Sequence, residues 1–113
     1  MALTVVEYVR ADHSCPYRTW FDGLHAQAAT KVATASLRLE MGNVSRVKWV
    51  GVIGEYRIDW GPGYRIYFGK DGATLIVLLG GGTKKSQRRD IERAKELWAE
   101  YLARKAAAKQ RQR

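Results

Sequence analysis

Arg57 and Arg65 fall on the same side of an alternating stretch, GEYRIDWGPGYRIYFGKDG, residues 54–72. Side chains two apart along a strand share a face. Tyr56, Ile58 and Trp60 therefore line one side, and Glu55, Arg57 and Asp59 the other. Beyond Gly61-Pro62-Gly63 the pattern resumes, with Tyr64, Ile66 and Phe68 against Arg65 and Tyr67. A hairpin that pairs Trp60 with Tyr64 sets Ile58 against Ile66 and Tyr56 against Phe68, a strong apolar face. It also sets Asp59 against Arg65 and Arg57 against Tyr67. The second face then offers two guanidiniums and a phenol, with Lys48 and Lys84 nearby. Such a set suits phosphate, because guanidinium binds it as a fork and ammonium as a point charge. A plain Asp59–Arg65 ion pair is the blander alternative, contributing ~0.2–1 kcal/mol. It leaves Arg57, Tyr67 and both lysines unexplained.

Other chemistries fit the residues less well. LGGGTKKS, residues 79–86, lies between an apolar run and a helical pattern, as a P-loop would. A P-loop needs glycine directly before the Lys-Ser pair, and Lys84 stands there instead. The glycines can still bring backbone close to a phosphate. His13 and His25 lie far from the arginines in sequence and read as surface or cap residues, not as an acid–base pair. Cys15 is the single cysteine, so no internal disulfide or Cys/His zinc site is expected. No metal or cofactor is expected.

The elements that would position these residues follow from periodicity. Leu3–Val9 reads as a strand. Ser14 caps a short helix with Pro16 in its first turn, and Tyr17, Trp20, Phe21 and Leu24 form its apolar stripe. A second helix over residues 26–41 carries Ala28, Val32, Ala35 and Leu39, and Gly42-Asn43 ends it. Val47–Val50 is a strand and residues 51–54 a turn, followed by the hairpin. Asp71-Gly72 is a further turn. ATLIVLLG is apolar without alternation, as in a central strand covered on both faces. GGGTKKSQ reads as a loop. A third helix from Gln87 bears Ile91, Ala94, Leu97, Trp98, Tyr101 and Leu102, and the basic RKAAAKQRQR reads as a frayed tail. The expected fold is α+β, in the order β-α-α-β-β-β-α, with a small, mostly antiparallel sheet and helices packed on one face. Residues 1–105 form one domain and 106–113 a flexible tail. The expected core is Tyr56, Ile58, Trp60, Ile66, Phe68, Leu78, Trp20, Phe21, Leu97 and Trp98.

Charge sharpens the reading. The 113 residues carry a net charge of +9 and are 46% hydrophobic, which suits a folded basic domain. Residues 1–43 hold four positive and four negative groups, whereas residues 84–113 hold eleven positive against four negative. A polyanion is the natural partner. No apolar run is long enough to cross a membrane and no signal-peptide pattern is present, so a reducing cytoplasm is expected.

Over nearly its whole length the chain resembles the HigB-like branch of the RelE/ParE toxin superfamily. YRIDWGPGYRIYF and the pattern GG-x-K-x-x-Q-x-x-DI-x-x-A are the most specific parts. The resemblance implies the toxin of a type II toxin–antitoxin module, an mRNA interferase. In such enzymes the RNA 2′-OH attacks the adjacent phosphate on the ribosome without a metal, leaving a 2′,3′-cyclic phosphate and a 5′-OH. The family's basic strand residues fall on Arg57 and Arg65, and its basic residue after the last strand on Lys84. A C-terminal tyrosine of the family is replaced near Asp90, and a family lysine corresponds to Asp59. Tyr67 or Asp90 would then supply proton transfer, or catalysis would rest mostly on positioning by the ribosome. Lys48, Tyr64, Lys85, Gln87 and Arg88 complete the expected RNA contacts. Implied partners are mRNA, the ribosome and a small helix-turn-helix antitoxin, joined as a hetero-oligomer by a toxin that is monomeric when free. The superfamily also contains gyrase poisons, which act by binding alone.

Overall fold

The structure is a computed structural model and describes residues 2–112. In chain order it contains β1 (Thr4–Glu7), α1 (Pro16–Asp22), α2 (Ala26–Glu40), β2 (Val47–Val50), β3 (Ile53–Ile58), β4 (Tyr64–Asp71) and β5 (Leu75–Thr83). A 3₁₀ turn, Lys84–Ser86, then leads into α3 (Gln87–Arg111). The fold is α+β, and its five strands fall on the five segments read as strands, although the expected order β-α-α-β-β-β-α counts only four. The sheet runs β1-β5-β4-β3-β2; β1 pairs parallel with β5, and every other pair is antiparallel.

Local chemistry sets the helices. Pro16 opens α1, but Cys15 rather than Ser14 holds the cap position, because the Ser14 hydroxyl donates to Asp12 instead. His25 caps α2, its Nδ1 accepting from the Ala28 amide at 3.3 Å. The buried stripe of α2 is Ala28, Val32, Ala35 and Leu39, as its period requires.

Two cores flank the sheet. Tyr17 and the α2 stripe pack on one face against Tyr56, Ile58, Ile66, Phe68, Ile76 and Leu78. Ala94, Leu97 and Trp98 of α3 pack on the other with Ile53, Tyr67, Val77 and Leu79. The strict alternation of Ile76 and Leu78 with Val77 and Leu79 explains the unbroken apolar run of β5. The face expected to stay open is therefore largely closed by α3, and Tyr67 has no exposed surface.

Three further expectations change. The hairpin register is shifted by two residues: Ile58 pairs with Tyr64, Tyr56 with Ile66, and Arg57 with Arg65. An even shift preserves the faces and changes only the partners. The cause is a longer connection, residues 59–63, in which the Trp60 amide donates to Ile58 and the Gly63 amide to Trp60. Trp60 thus leaves the strand and lies half-buried, stacked on Tyr64. Second, Gly80–Thr83 belongs to β5 and is not a loop. A Cβ on Gly81 would lie 2.3 Å from the Trp20 ring, and one on Gly82 1.9 Å from the Asp90 carboxylate. These glycines serve close packing. Third, the basic tail is helical, since α3 continues to Arg111 with residues 102–111 exposed. Arg104 donates to the Val9 carbonyl at 2.8 Å and Lys105 to Asp71 at 2.8 Å, which tethers its first turn.

No helix among the described residues is long and apolar enough to cross a membrane, and none of their His, Cys, Asp and Glu side chains cluster in threes to hold a metal.

Candidate nucleic-acid interface

β3 and β4 place Arg57 and Arg65 directly opposite each other at the end of the sheet nearest the hairpin loop. The loop then meets the 3₁₀ turn, the Lys84 amide lying 3.4 Å from the Pro62 carbonyl. Gly63 makes this approach possible. Its φ of 77° suits glycine, and a Cβ there would stand 3.4 Å from Arg65 Nη1 and 3.5 Å from Lys84 Cβ. The edge strand β2 adds Lys48, and the residue before it adds Arg46. The result is a groove of about 540 Å3 lined by Arg46, Lys48, Arg57, Arg65 and Lys84, with Tyr64 and Asp59.

A carboxylate lies beneath the groove. Glu55 has no exposed surface. It accepts from Arg57 Nε at 3.0 Å and from Gln87 Nε2 at 2.8 Å, and Arg65 Nε stands 3.6 Å away. Burial works to raise the Glu55 pKa, but the bonds from Gln87 and Arg57 outweigh it and hold the group below its ordinary value. Glu55 therefore remains an anion and balances part of the charge that Arg57 and Arg65 bring. Arg65 is itself only 7% exposed, with Nη1 bonded to the Gly63 carbonyl at 2.8 Å. Its Nε and the Tyr67 hydroxyl are buried with no hydrogen-bond partner.

The residues expected from sequence divide into three groups. Arg57, Arg65, Lys84, Lys48 and Tyr64 meet in the groove. Tyr67, Gln87 and Asp90 lie behind it. Tyr67 is sealed under α3, where burial first and the Glu55 charge second raise its pKa, so it holds its proton at neutral pH and cannot stack on a base. Gln87 spends its amide on Glu55. Asp90 accepts from the Ser86 hydroxyl and fills the space over Gly82, fixing the 3₁₀ turn that carries Lys84. Lys85 and Arg88 line a separate open cavity with Arg89 and Glu92. The alternative Asp59–Arg65 ion pair is absent; Arg65 faces Glu55 instead.

Sequence reasoning missed Glu55 and Arg46. Glu55 carried a signal, as a carboxylate two residues from Arg57 on the same strand face. Arg46 carried none, because it precedes its strand and reaches the groove only through the β2–β3 pairing.

The groove can hold phosphate oxygens with several charge-assisted donors at once. Arg65, pinned and buried, is a preorganised donor; Arg57, with a side chain 45% exposed, can adjust to a ligand. Asp59 is the carboxylate that lines the groove.

No protein-family model and no solved structure matches the chain. It is 39% identical over 83 residues to an uncharacterized protein of Haemophilus influenzae, a match that covers 72% of this chain and 84% of that protein. By that likeness the chain belongs to the same family as the Haemophilus influenzae protein.

Proposed function

We propose that the groove binds an RNA backbone and cleaves it, and that the chain is the toxin of a toxin–antitoxin module. The convergence of five cations on one groove, over a buried carboxylate that hydrogen-bonds Arg57 and stands 3.6 Å from Arg65, carries this reading. The likeness of YRIDWGPGYRIYF and the GG-x-K-x-x-Q pattern to RelE/ParE toxins supports it.

In the proposed reaction the RNA 2′-oxygen attacks the adjacent phosphorus. A new P–O2′ bond forms, the P–O5′ bond breaks, and a 2′,3′-cyclic phosphate and a 5′-OH remain. Arg65 and Lys84 stabilise the charge that gathers on the non-bridging oxygens, where fixed donors contribute most. Arg57 holds the neighbouring phosphate. Asp59 accepts the 2′-OH proton, and water protonates the leaving 5′-oxygen. Tyr67 and Asp90 act through position alone. A small partner protein with acidic segments would cover the groove and silence the toxin. On the ribosome, basic surface beyond the groove would help dock the protein on RNA.

A gyrase-type toxin that acts by binding is the second reading. It is favoured by the groove's lack of a lining histidine and by the burial of Tyr67. Induced expression separates the two. Arg65→Ala and Lys84→Ala should each relieve growth arrest, reducing cleavage by about 10²–10³, while Lys70→Ala should not. Arrest that persists in both groove variants, accompanied by DNA breaks, would transfer the assignment to gyrase.

A further inference from the structure

Lys84 and Lys85 are neighbours on a three-residue turn, yet they line different cavities. Lys84 faces the groove. Lys85 lines another, open cavity of about 740 Å3, with Thr83, Ser86, Arg88, Arg89 and Glu92, none of which lines the groove. Lys85, Arg88 and Arg89 are exposed and form no ion pair among the described residues. The next cations of α3 differ: Arg93 pairs with Glu96 at 3.4 Å and Lys95 with Glu92 at 3.6 Å. The acid that borders the cavity is thus already engaged, and three cations around it are left without a counter-charge. The turn between the cavities is well fixed. Ser86 Oγ bridges Thr83 and Asp90, and Gly82 leaves no room for Asp90 to move toward the strand.

We infer that the second cavity takes the phosphates of the same RNA strand after it has passed over the Lys84–Ser86 turn. This rests on the reading of the groove as an RNA site. A ligand that reaches both cavities must follow the surface around one turn. A single strand does so at low cost, whereas a duplex is stiff over that distance. No aromatic side chain lines the second cavity, so it holds the backbone and reads no base. The substrate class is single-stranded RNA, longer than the groove alone can hold, with no base preference in the part beyond the turn.

Binding of a tri- and a nonanucleotide RNA, measured across a salt series, tests this. The wild-type protein should bind the nonanucleotide more tightly and with a steeper salt dependence. Lys85→Ala/Arg88→Ala/Arg89→Ala should bring nonanucleotide affinity down to that of the trinucleotide. It should reduce the log–log salt slope by about 2, at ~0.7 per lost contact on a single strand. Trinucleotide binding should not change. Equal weakening of both lengths, or no gain with length in the wild type, overturns the inference. So does competition by poly-aspartate as strong as by RNA of equal charge, which would assign the cavity to an acidic protein segment. Failure of the groove itself gives a different result: Arg65→Ala would leave trinucleotide binding intact.

Discussion

Glu55 is the residue on which the site's geometry turns. It has no exposed surface, and it holds Arg57 while joining β3 to the start of α3 through Gln87. Removing one partner of a buried charged set leaves the others uncompensated. Glu55→Gln should therefore destabilise the fold by about 3 kcal/mol in urea unfolding, while Asp59→Asn, on an exposed groove residue, should be nearly neutral. Equal, small effects would show that the buried carboxylate is not structurally required. Arg57 and Arg65 were legible as a pair because alternation fixes which strand residues share a face, whereas Lys84, outside any strand, entered only as a nearby cation and through the family resemblance. Tyr67 was legible as a member of that face but not as a buried one. The helix that covers it begins 20 residues further on, and nothing in the hairpin pattern reveals what will pack there.

At the scale of elements, the helical stripes and the apolar run of β5 were readable, since each is a local period. The seat of α3 was not, because glycines mark it by absence. Gly69 lies under Trp98, where a Cβ would stand 2.3 Å from the ring. Gly69→Ala should push α3 off the sheet and lower stability by about 1–3 kcal/mol. Gly80→Ala, with no atom within 4 Å of its would-be Cβ, should cost far less. Equal thermal shifts in the two variants would contradict the packing of α3 on this face. The middle of α3 is tied to the segment that follows β1 by Glu100, which accepts from Tyr8 at 2.6 Å and from Arg10 at 3.0 and 2.9 Å. Arg10 first, and Tyr8 second, hold the Glu100 pKa at about 2, against an ordinary 4.5. A carboxyl depressed in the fold contributes stability that is complete above its unfolded value and is lost as pH falls through the folded one. Unfolding midpoints should therefore drop between pH 4.5 and 2, and Glu100→Gln should flatten that part of the curve. A variant with the wild-type acid slope would show that the Arg10–Glu100 link is not coupled to folding.

For the whole molecule, the charge distribution was the most legible property, and the structure gives it a shape. The net charge of +9 includes a groove at the hairpin end, a second cavity across one turn, and an exposed helical extension ending near Arg111. Composition could not show that these surfaces are distinct, because that depends on where α3 packs and on a turn whose adjacent lysines line different cavities. The central claim is that the groove cleaves RNA. The most direct measurement is a transcriptome-wide map of RNA 5′-hydroxyl ends after brief induction of the wild-type chain, Arg65→Ala and Lys84→Ala at matched folded protein levels. New 5′-hydroxyl ends within coding sequences are expected in the wild type, reduced by about 10²–10³ in either variant. A wild-type map without new ends, or one that both variants reproduce in full, would contradict the claim.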